Sequence, residues 1–334
     1  MKFFTSSILI ALCTFSFSQQ GSNFSMWFLN NSLHNPAQVG VIETDMRAFG
    51  NFKYQYFTVS DMPNRGISAS VEGRIPFVKN QGHHLGVGVN FFNDLTSNSK
   101  YTVNEISLPV SMQIAINDES SLSVGVAPSL YNRNLRSKSY TWEHQWTGIK
   151  FDETIPGENL GRSRNENTFD ISLGLLYRYQ SSITNHFSFG FSTQNVIEQD
   201  IGFTIEDKLE RRFIGQFGLS HRLKNRDWGL SPNVYTMLQG ENMNIIFGTN
   251  VDFYIIDGST KTTFISPNSF SFGIYHRLFE GVIVNAILKF RGATIAVAYD
   301  SNINGMISHS KSVGGFEIAV AYDFLLNKRR KFIY

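Results

Sequence analysis

Apolar and polar side chains alternate strictly through residues 105–130, and this pattern restricts the possible folds of the chain more than any other feature. In the first half, one phase is apolar throughout: Ile106, Leu108, Val110, Met112, Ile114 and Ile116. The other phase is polar or small, and the alternation resumes after a turn at 117–120. Successive strand side chains point to opposite faces, so the pattern predicts a hairpin with one apolar and one wet face. A first strand of about 12 residues exceeds the usual soluble strand and suits a tilted membrane strand.

The composition favours a membrane barrel over a soluble sandwich. Charged residues make up 17% of the chain, against about 25% in ordinary soluble proteins, while aromatic residues reach 14%. No apolar run of about 18 residues follows residue 18, which excludes membrane helices. Without Lys2, 28 of the 29 basic residues remain against 27 acidic ones, so the near-neutral charge gives no reason to expect nucleic acid as a partner.

Four parts are predicted along the chain: a signal peptide at 1–18, a periplasmic N-terminal arm at 19–43, a barrel at 44–325 and a basic tail at 326–334. Lys2, the apolar run 8–15 and the small residues Ser16 and Ser18 give the signal peptide its typical order. Cleavage near Ser18 removes Cys13, the single cysteine, and with it any disulfide or cysteine-ligated metal.

The arm has no strand alternation. Pro36 bars a central strand position, and aromatic residues precede it. Two arrangements fit: a short plug in the periplasmic mouth, or an aromatic lead-in packed under the barrel rim, which we favour.

Between residues 44 and 325 the pattern predicts fourteen strands of a closed, all-β, antiparallel transmembrane barrel, with twelve to sixteen as the range. An even number and full closure suit a single-chain outer-membrane barrel, because lipid offers no partner to a strand edge. The predicted strands are 44–57, 64–77, 83–93, 101–117, 121–135, 168–180, 185–195, 211–224, 228–240, 243–255, 269–278, 280–290, 292–300 and 314–325. Short turns are expected on the periplasmic side, although loop lengths break this pattern near 240–280.

Three features admit more than one interpretation. The longest insertion, 136–168, carries Trp142 and Trp146, which suit either a partner surface or a loop folded into the lumen. The inward phase carries charges of both signs, which favours structural pairing over pore lining. The basic run 328–331 could meet lipid headgroups or a partner, but it needs no role as a solvated terminus.

No catalytic, cofactor or metal motif stands out. His83 and His84 are adjacent on a predicted strand, so their rings point to opposite faces and cannot share a metal. The same geometry separates Ser220 from His221, the pair that a lipid-hydrolysing barrel would need. The sequence therefore predicts a protein that is not an enzyme.

Four stretches together resemble the PorP/SprF family of the type IX secretion system. The first is Gln19-Gln20 with Asn35-Pro36-Ala37-Gln38-Val39-Gly40, and the second is the glycine-rich strand 85–94. The third begins at Phe169-Asp170-Ile171. The fourth combines Asp300 and Asn302 before a loop with Gly314-Gly315-Phe316-Glu317 after it. The candidate site residues are these motif positions and the two loop tryptophans: Asn35, Pro36, Gly40, Trp142, Trp146, Asp170, Asp300, Asn302, Gly314, Gly315, Phe316 and Glu317.

The resemblance implies an integral outer-membrane protein of a Gram-negative bacterium that works without a cofactor. Its implied partners are the periplasmic ring components and translocon of the secretion machinery, and the C-terminal domain of a secreted cargo such as a gliding adhesin. The alternative is an outer-membrane channel or transporter for small or hydrophobic solutes.

Overall fold

The computed structural model describes residues 24–58, 63–76, 83–96, 101–135, 142–152, 154–156, 164–182, 184–200, 208–224, 226–256, 268–303 and 312–326. The predicted signal peptide and all of the basic tail after residue 326 lie outside the described residues. Within the described ranges, no helix has the length and apolar character needed to cross a membrane.

Strands make up most of the described chain, and every pairing between them is antiparallel. They are β1 (Met46–Gln55), β2 (Asn64–Pro76), β3 (His84–Thr96), β4 (Tyr101–Ser107), β5 (Val110–Ala115), β6 (Ser120–Leu135), β7 (Arg164–Gln180), β8 (His186–Gln194), β9 (Arg212–Arg222), β10 (Trp228–Gln239), β11 (Asn242–Ile256), β12 (Asn268–Arg277), β13 (Gly281–Phe290), β14 (Ala293–Asn302) and β15 (Val313–Phe324).

β4 and β5 are two halves of one barrel strand, because both pair with β3 on one side and with β6 on the other. The interruption falls at Leu108 and Pro109, where proline cannot donate to the ladder. The neighbouring backbone compensates: Leu108 N donates to Pro128 O, and Gly88 N donates to Pro109 O, each at 3.0 Å. The described segments therefore form fourteen barrel strands, as predicted, including the region 240–280 where loop lengths were irregular.

The sheet closes on itself. β1 pairs with β2 on one side and with β15 on the other, in register from Met46↔Phe324 to Gln55↔Gly315. β2 in turn pairs with β3, so the described strands form a complete ring. Closure gives each strand a neighbour on both sides, which lipid requires, and confirms the predicted closed antiparallel barrel.

The two faces of the wall differ as the alternation predicted. Ile106 is 49% exposed on the outer face, whereas its neighbour Ser107 is 4% exposed on the inner face. The outer face is rich in Val, Ile, Leu and Phe along the described strands. This surface suits contact with lipid acyl chains, while the small and polar inner face lines a lumen.

The two ends of the barrel also differ. β1 begins and β15 ends at one of them, which we call the terminal end. The opposite, long-loop end carries the connections 136–163, 195–211 and 303–312. The long connection 257–267 lies at the terminal end, and the turns after β10 and β12 are tight at the long-loop end. The irregular loop lengths near 240–280 therefore belong to the fold itself.

Residues 24–45, which we call the arm, lie inside the barrel. Its local structure is a 3-10 turn at Trp27–Leu29, one α-helical turn at Asn31–His34 and a second 3-10 turn at Pro36–Gln38. Near its start, Phe24 packs edge-on against Phe92 in the long-loop half of β3, at 6.0 Å between ring centroids. At its other end, Asp45 N donates to Phe324 O at the terminal end, at 3.1 Å. The described arm therefore spans the lumen, rather than packing under the rim or closing the mouth alone.

An apolar core inside the barrel explains part of this arrangement. Met26 and Trp27 of the arm are buried against inward-facing side chains of β9–β14. These wall residues include Ile214, Tyr235, Met237, Ile246, Tyr275 and Ile283. Part of the inner face of these strands is therefore apolar, and burying that part against the arm is favourable.

Candidate functional site

Ser25, near the start of the arm, is held by four wall residues in the long-loop half of the barrel. Its hydroxyl donates to Asp300 Oδ2 at 2.6 Å. The Ser25 hydroxyl oxygen in turn accepts from Lys53 Nζ at 3.0 Å and from Arg277 Nη2 at 3.1 Å. Glu317 Oε2 accepts the Ser25 backbone N–H at 2.7 Å. We call these five residues the upper anchor.

The charges of the upper anchor pair with one another. Lys53 Nζ lies 3.2 Å from Asp300 Oδ2, and Arg277 Nη2 lies 3.6 Å from the same oxygen. Glu317 also accepts the Met26 backbone N–H, so its carboxylate binds two consecutive arm residues. All four charged side chains are buried, and buried charge is expensive unless it is paired and hydrogen-bonded. These inward charges therefore fix the arm, which agrees with the pairing that the sequence favoured.

The middle of the arm lies directly on glycines of the wall. A Cβ on Gly125 would come within 2.4 Å of Pro36 C and Ala37 N, and one on Gly86 within 2.0 Å of Val39 O. A Cβ on Gly174 would come within 2.0 Å of Asn35 Oδ1. Only glycine allows such close approach of two backbones. We call Gly86, Gly125 and Gly174, on β3, β6 and β7, the glycine track.

Asn35 and Gly40 fix the two ends of the segment on the glycine track. The Asn35 amide donates to Leu175 O at 3.0 Å, and its Oδ1 accepts from Ala37 N at 2.9 Å. Gly40 has φ +71°, a conformation that favours glycine, and its N–H donates to Glu72 Oε2 at 2.9 Å. The predicted residues Asn35, Pro36 and Gly40 therefore act together in seating the arm.

A lower anchor holds the arm at the terminal end. Arg178 Nη2 lies 2.8 Å from Glu43 Oε1, and Gln180 donates to the same oxygen at 3.0 Å. Arg74 donates to Ile42 O at 3.1 Å. Between this anchor and β8–β15 lies a polar cavity of about 360 Å³. The arm is thus fixed at both ends and in the middle.

The two tryptophans of the long insertion lie in a small folded loop at the long-loop end. Trp146 and Phe151 form an antiparallel bridge with ring centroids 5.1 Å apart, and Trp146 is 49% exposed. Hydrogen bonds from the Thr154 side chain and backbone lower the pKa of Asp152 in this loop. Trp142 N donates to Gln145 Oε1 at 2.8 Å at the base of the loop.

The remaining predicted residues have separate positions. Asp170 is fully buried on β7 and accepts from Ile197 N at 3.1 Å. Asn302 donates to Val313 O at 3.4 Å, across the connection between β14 and β15. Gly314 and Gly315 follow the first residue of β15. Gly314 O accepts from Tyr56 N, and a Cβ on Gly315 would come within 2.8 Å of Gln55 Cγ. Phe316 points outward, so these residues shape the wall and only Asp300 and Glu317 reach the arm.

Sequence reasoning missed Ser25, Lys53 and Arg277. Strand alternation places Lys53 on the inner face together with Asn51, which is the one signal that could have selected it. Ser25 carries no such signal, because its partners lie up to 292 residues away in the sequence.

The described residues include no group of three or more His, Asp or Glu side chains placed to hold a metal ion. The arrangement places a segment of the same chain inside the lumen, fixed to the wall at Ser25, along the glycine track and at Glu43.

The family model for the type IX secretion system membrane protein PorP/SprF matches residues 16–322. No curated protein matches the chain. Among solved structures, the chain is similar to the toluene transporter TbuX of Ralstonia pickettii, with a TM-score of 0.49, 11% identity and coverage of 87% of this chain and 92% of that one. The toluene transporter TodX of P. putida matches with a TM-score of 0.48 and 7% identity, over 89% of this chain and 95% of that one. A FadL homologue of Pseudomonas aeruginosa matches with a TM-score of 0.45 and 11% identity, over 88% of this chain and 93% of that one.

Proposed function

The chain belongs to the PorP/SprF family and is an outer-membrane component of the type IX secretion system, and from this we propose that it assists the secretion or surface attachment of cargo proteins. In this proposal the cargo, such as a gliding adhesin, is recognised through its C-terminal domain. The periplasmic ring components and the translocon are the other partners. The protein acts by docking and carries out no catalysis.

The observation that supports docking is the occupied lumen. The arm is anchored at Ser25, along the glycine track and at Glu43, so it fills the path that a solute would take. The remaining cavity is lined largely by hydroxyl, amide and charged side chains. Such a lining does not suit hydrophobic solutes, which makes the channel alternative the weaker one.

The loop at the long-loop end offers a surface for cargo. Trp146, Ile149 and Phe151 are 49%, 88% and 50% exposed. Two hydrogen bonds from the ends of this hairpin, Thr147 N to Lys150 O and Asp152 N to Gln145 O, keep it folded without a partner. A rigid, exposed aromatic pair is typical of a binding hot spot. With long loops outside the cell, this surface faces the medium, where an anchored cargo would sit.

A pull-down of the tagged protein from cells tests the proposal. We expect the wild type to recover secretion components and a cargo C-terminal domain, and a Trp146→Ala/Phe151→Ala variant to lose the cargo only. Ile303→Ala, at a 49% exposed position of the same end, serves as the control and should leave recovery unchanged. Failure of the wild type to recover any secretion component or cargo would refute the proposal.

A further inference from the structure

The polar cavity beneath the arm has the dimensions of a ligand site. Its volume of about 360 Å³ lies within the range of about 300–1,000 Å³ that small-molecule sites occupy. It is bounded by the arm and by the inner faces of β8–β15, near the terminal end. Three cations and three carboxylates line it, so its charge balance depends on which of them pair.

Two of the three carboxylates are neutralised within the protein. Arg47 Nε lies 3.7 Å from Asp323 Oδ1, and Arg178 Nη2 lies 2.8 Å from Glu43 Oε1. The third is Asp252, on the inner face of β11, and no ion pair joins it to a Lys or Arg among the described residues. The third cation of the lining, Lys289, forms no ion pair with it either, so Asp252 is the one cavity carboxylate in the described chain without an ion-pair partner.

Two neutral hydroxyl groups hold Asp252 in place. Ser271 Oγ donates to Asp252 Oδ1 at 2.5 Å, and Ser231 Oγ donates to Oδ2. A carboxylate can accept about four hydrogen bonds, so two positions remain for a ligand. Both serines line the same cavity, on strands that flank β11. The two serines of the wall therefore orient the carboxylate and use only part of its capacity to accept hydrogen bonds.

Tyr254, the next residue of the same face, lines the cavity beside Asp252, and its ring already contacts one cation. The Arg222 guanidinium lies over its ring, 4.9 Å from the centroid, and the same guanidinium lies 3.2 Å from Asp227 Oδ1. Arg222 therefore interacts with Tyr254 and Asp227 and forms no ion pair with Asp252. An aromatic ring beside a carboxylate is favourable for an organic cation, because both attract positive charge.

We propose that this cavity binds the ammonium group of an organic amine, with Asp252 as its counter-charge and Ser231 and Ser271 as the residues that orient the carboxylate. The amine is either a lysine side chain of a peptide entering from the terminal end or a free amine; both supply the same group. Ionisable residues inside membrane-spanning proteins pair with one another or line a substrate or ion pathway. In this proposal the incoming ammonium group is the cation that pairs with Asp252. The inference does not depend on the proposed function in secretion.

The test is a binding titration of the purified barrel in detergent with the tripeptide Gly-Lys-Gly, acetylated at its N-terminus and amidated at its C-terminus so that the lysine side chain is its only ammonium group. Gly-norleucine-Gly, blocked in the same way, has a side chain of similar length without the charge, and 1,5-diaminopentane represents a free amine. Asp252→Asn removes the counter-charge. Asp118→Asn is the matched control, since Asp118 is exposed in the turn between β5 and β6 at the same end, outside the cavity lining.

We expect saturable binding of Gly-Lys-Gly to the wild type and to Asp118→Asn, at least tenfold weaker binding to Asp252→Asn, and none of the norleucine peptide. Equal binding of the diamine assigns the site to free amines, whereas binding of the peptide alone assigns it to a peptide lysine. No saturable binding of either amine, equal binding to Asp252→Asn, or equal binding of the norleucine peptide would overturn the proposal. The peptide pair tests the charge requirement on the wild type alone, even where Asp252→Asn does not fold.

Discussion

Replacing Gly125 with alanine should loosen the arm without disturbing the wall. The new Cβ would lie 2.4 Å from both Pro36 C and Ala37 N, and these backbone atoms cannot rotate away as the tip of a side chain can. Forcing an extra methyl into a packed interior costs about 1–3 kcal/mol. This cost raises the free energy of the state in which the arm lies on the glycine track, and it disappears when the arm leaves the track. The equilibrium between seated and released arm should therefore shift by about 5- to 150-fold.

Thiol labelling measures this shift. The predicted mature chain has no cysteine, so Ser32→Cys places a single reporter thiol on a buried arm residue. Where release and return are fast compared with labelling, the rate of reaction with a maleimide follows the released population. In this background Gly125→Ala should accelerate labelling by about 5- to 150-fold.

Gly50→Ala is the matched control, because its Cβ would meet only Val320 Cγ2, at 3.8 Å. It should leave the labelling rate within about twofold, since ordinary van der Waals contact adds no overpacking. An unchanged rate in a correctly folded Gly125→Ala barrel would refute the argument that the arm rests on the glycine track.

Two further predictions concern the wall. Lys53→Met leaves Asp300 buried with one cation fewer and should lower the free energy of unfolding, measured by urea titration, by about 3–5 kcal/mol. Adding Asp300→Asn should restore part of the lost stability. A loss of only about 1 kcal/mol in Lys53→Met would instead indicate a solvated ion pair. Val126→Arg, on the lipid face of β6, should cost about 2–4 kcal/mol in folding into vesicles. Glu241→Arg, in the tight turn after β10, is its control and should cost far less.

The strands could be predicted from the sequence because their signal is local. Apolar side chains alternate with small or polar ones within each strand, so the fourteen predicted strands match the observed ones to within a few residues at most ends. The interruption at Pro109 was not predicted, because the alternation continues through it unchanged.

The position of the arm could not be read in the same way. Its contacts join Ser25 to Glu317 and Asn35 to Leu175, separations of 292 and 140 residues, and no local period encodes them. Gly125 and Gly174 suit the small side chains of the inner face whether or not a segment lies against them, so the alternation does not reveal the arm. The motif residues Asn35, Gly40, Asp300 and Glu317 were selected through the family resemblance, and the structure shows the contacts that each of them makes with the arm or the wall.

If the arm blocks the lumen of this outer-membrane barrel, ions cannot flow through the wild-type protein. Single-channel recording in planar bilayers measures this flow and compares the wild type with a variant that lacks residues 24–43. We predict no steady conductance for the wild type and a sustained open level for the deletion variant. A large steady conductance of the wild type would show that the arm leaves the lumen open.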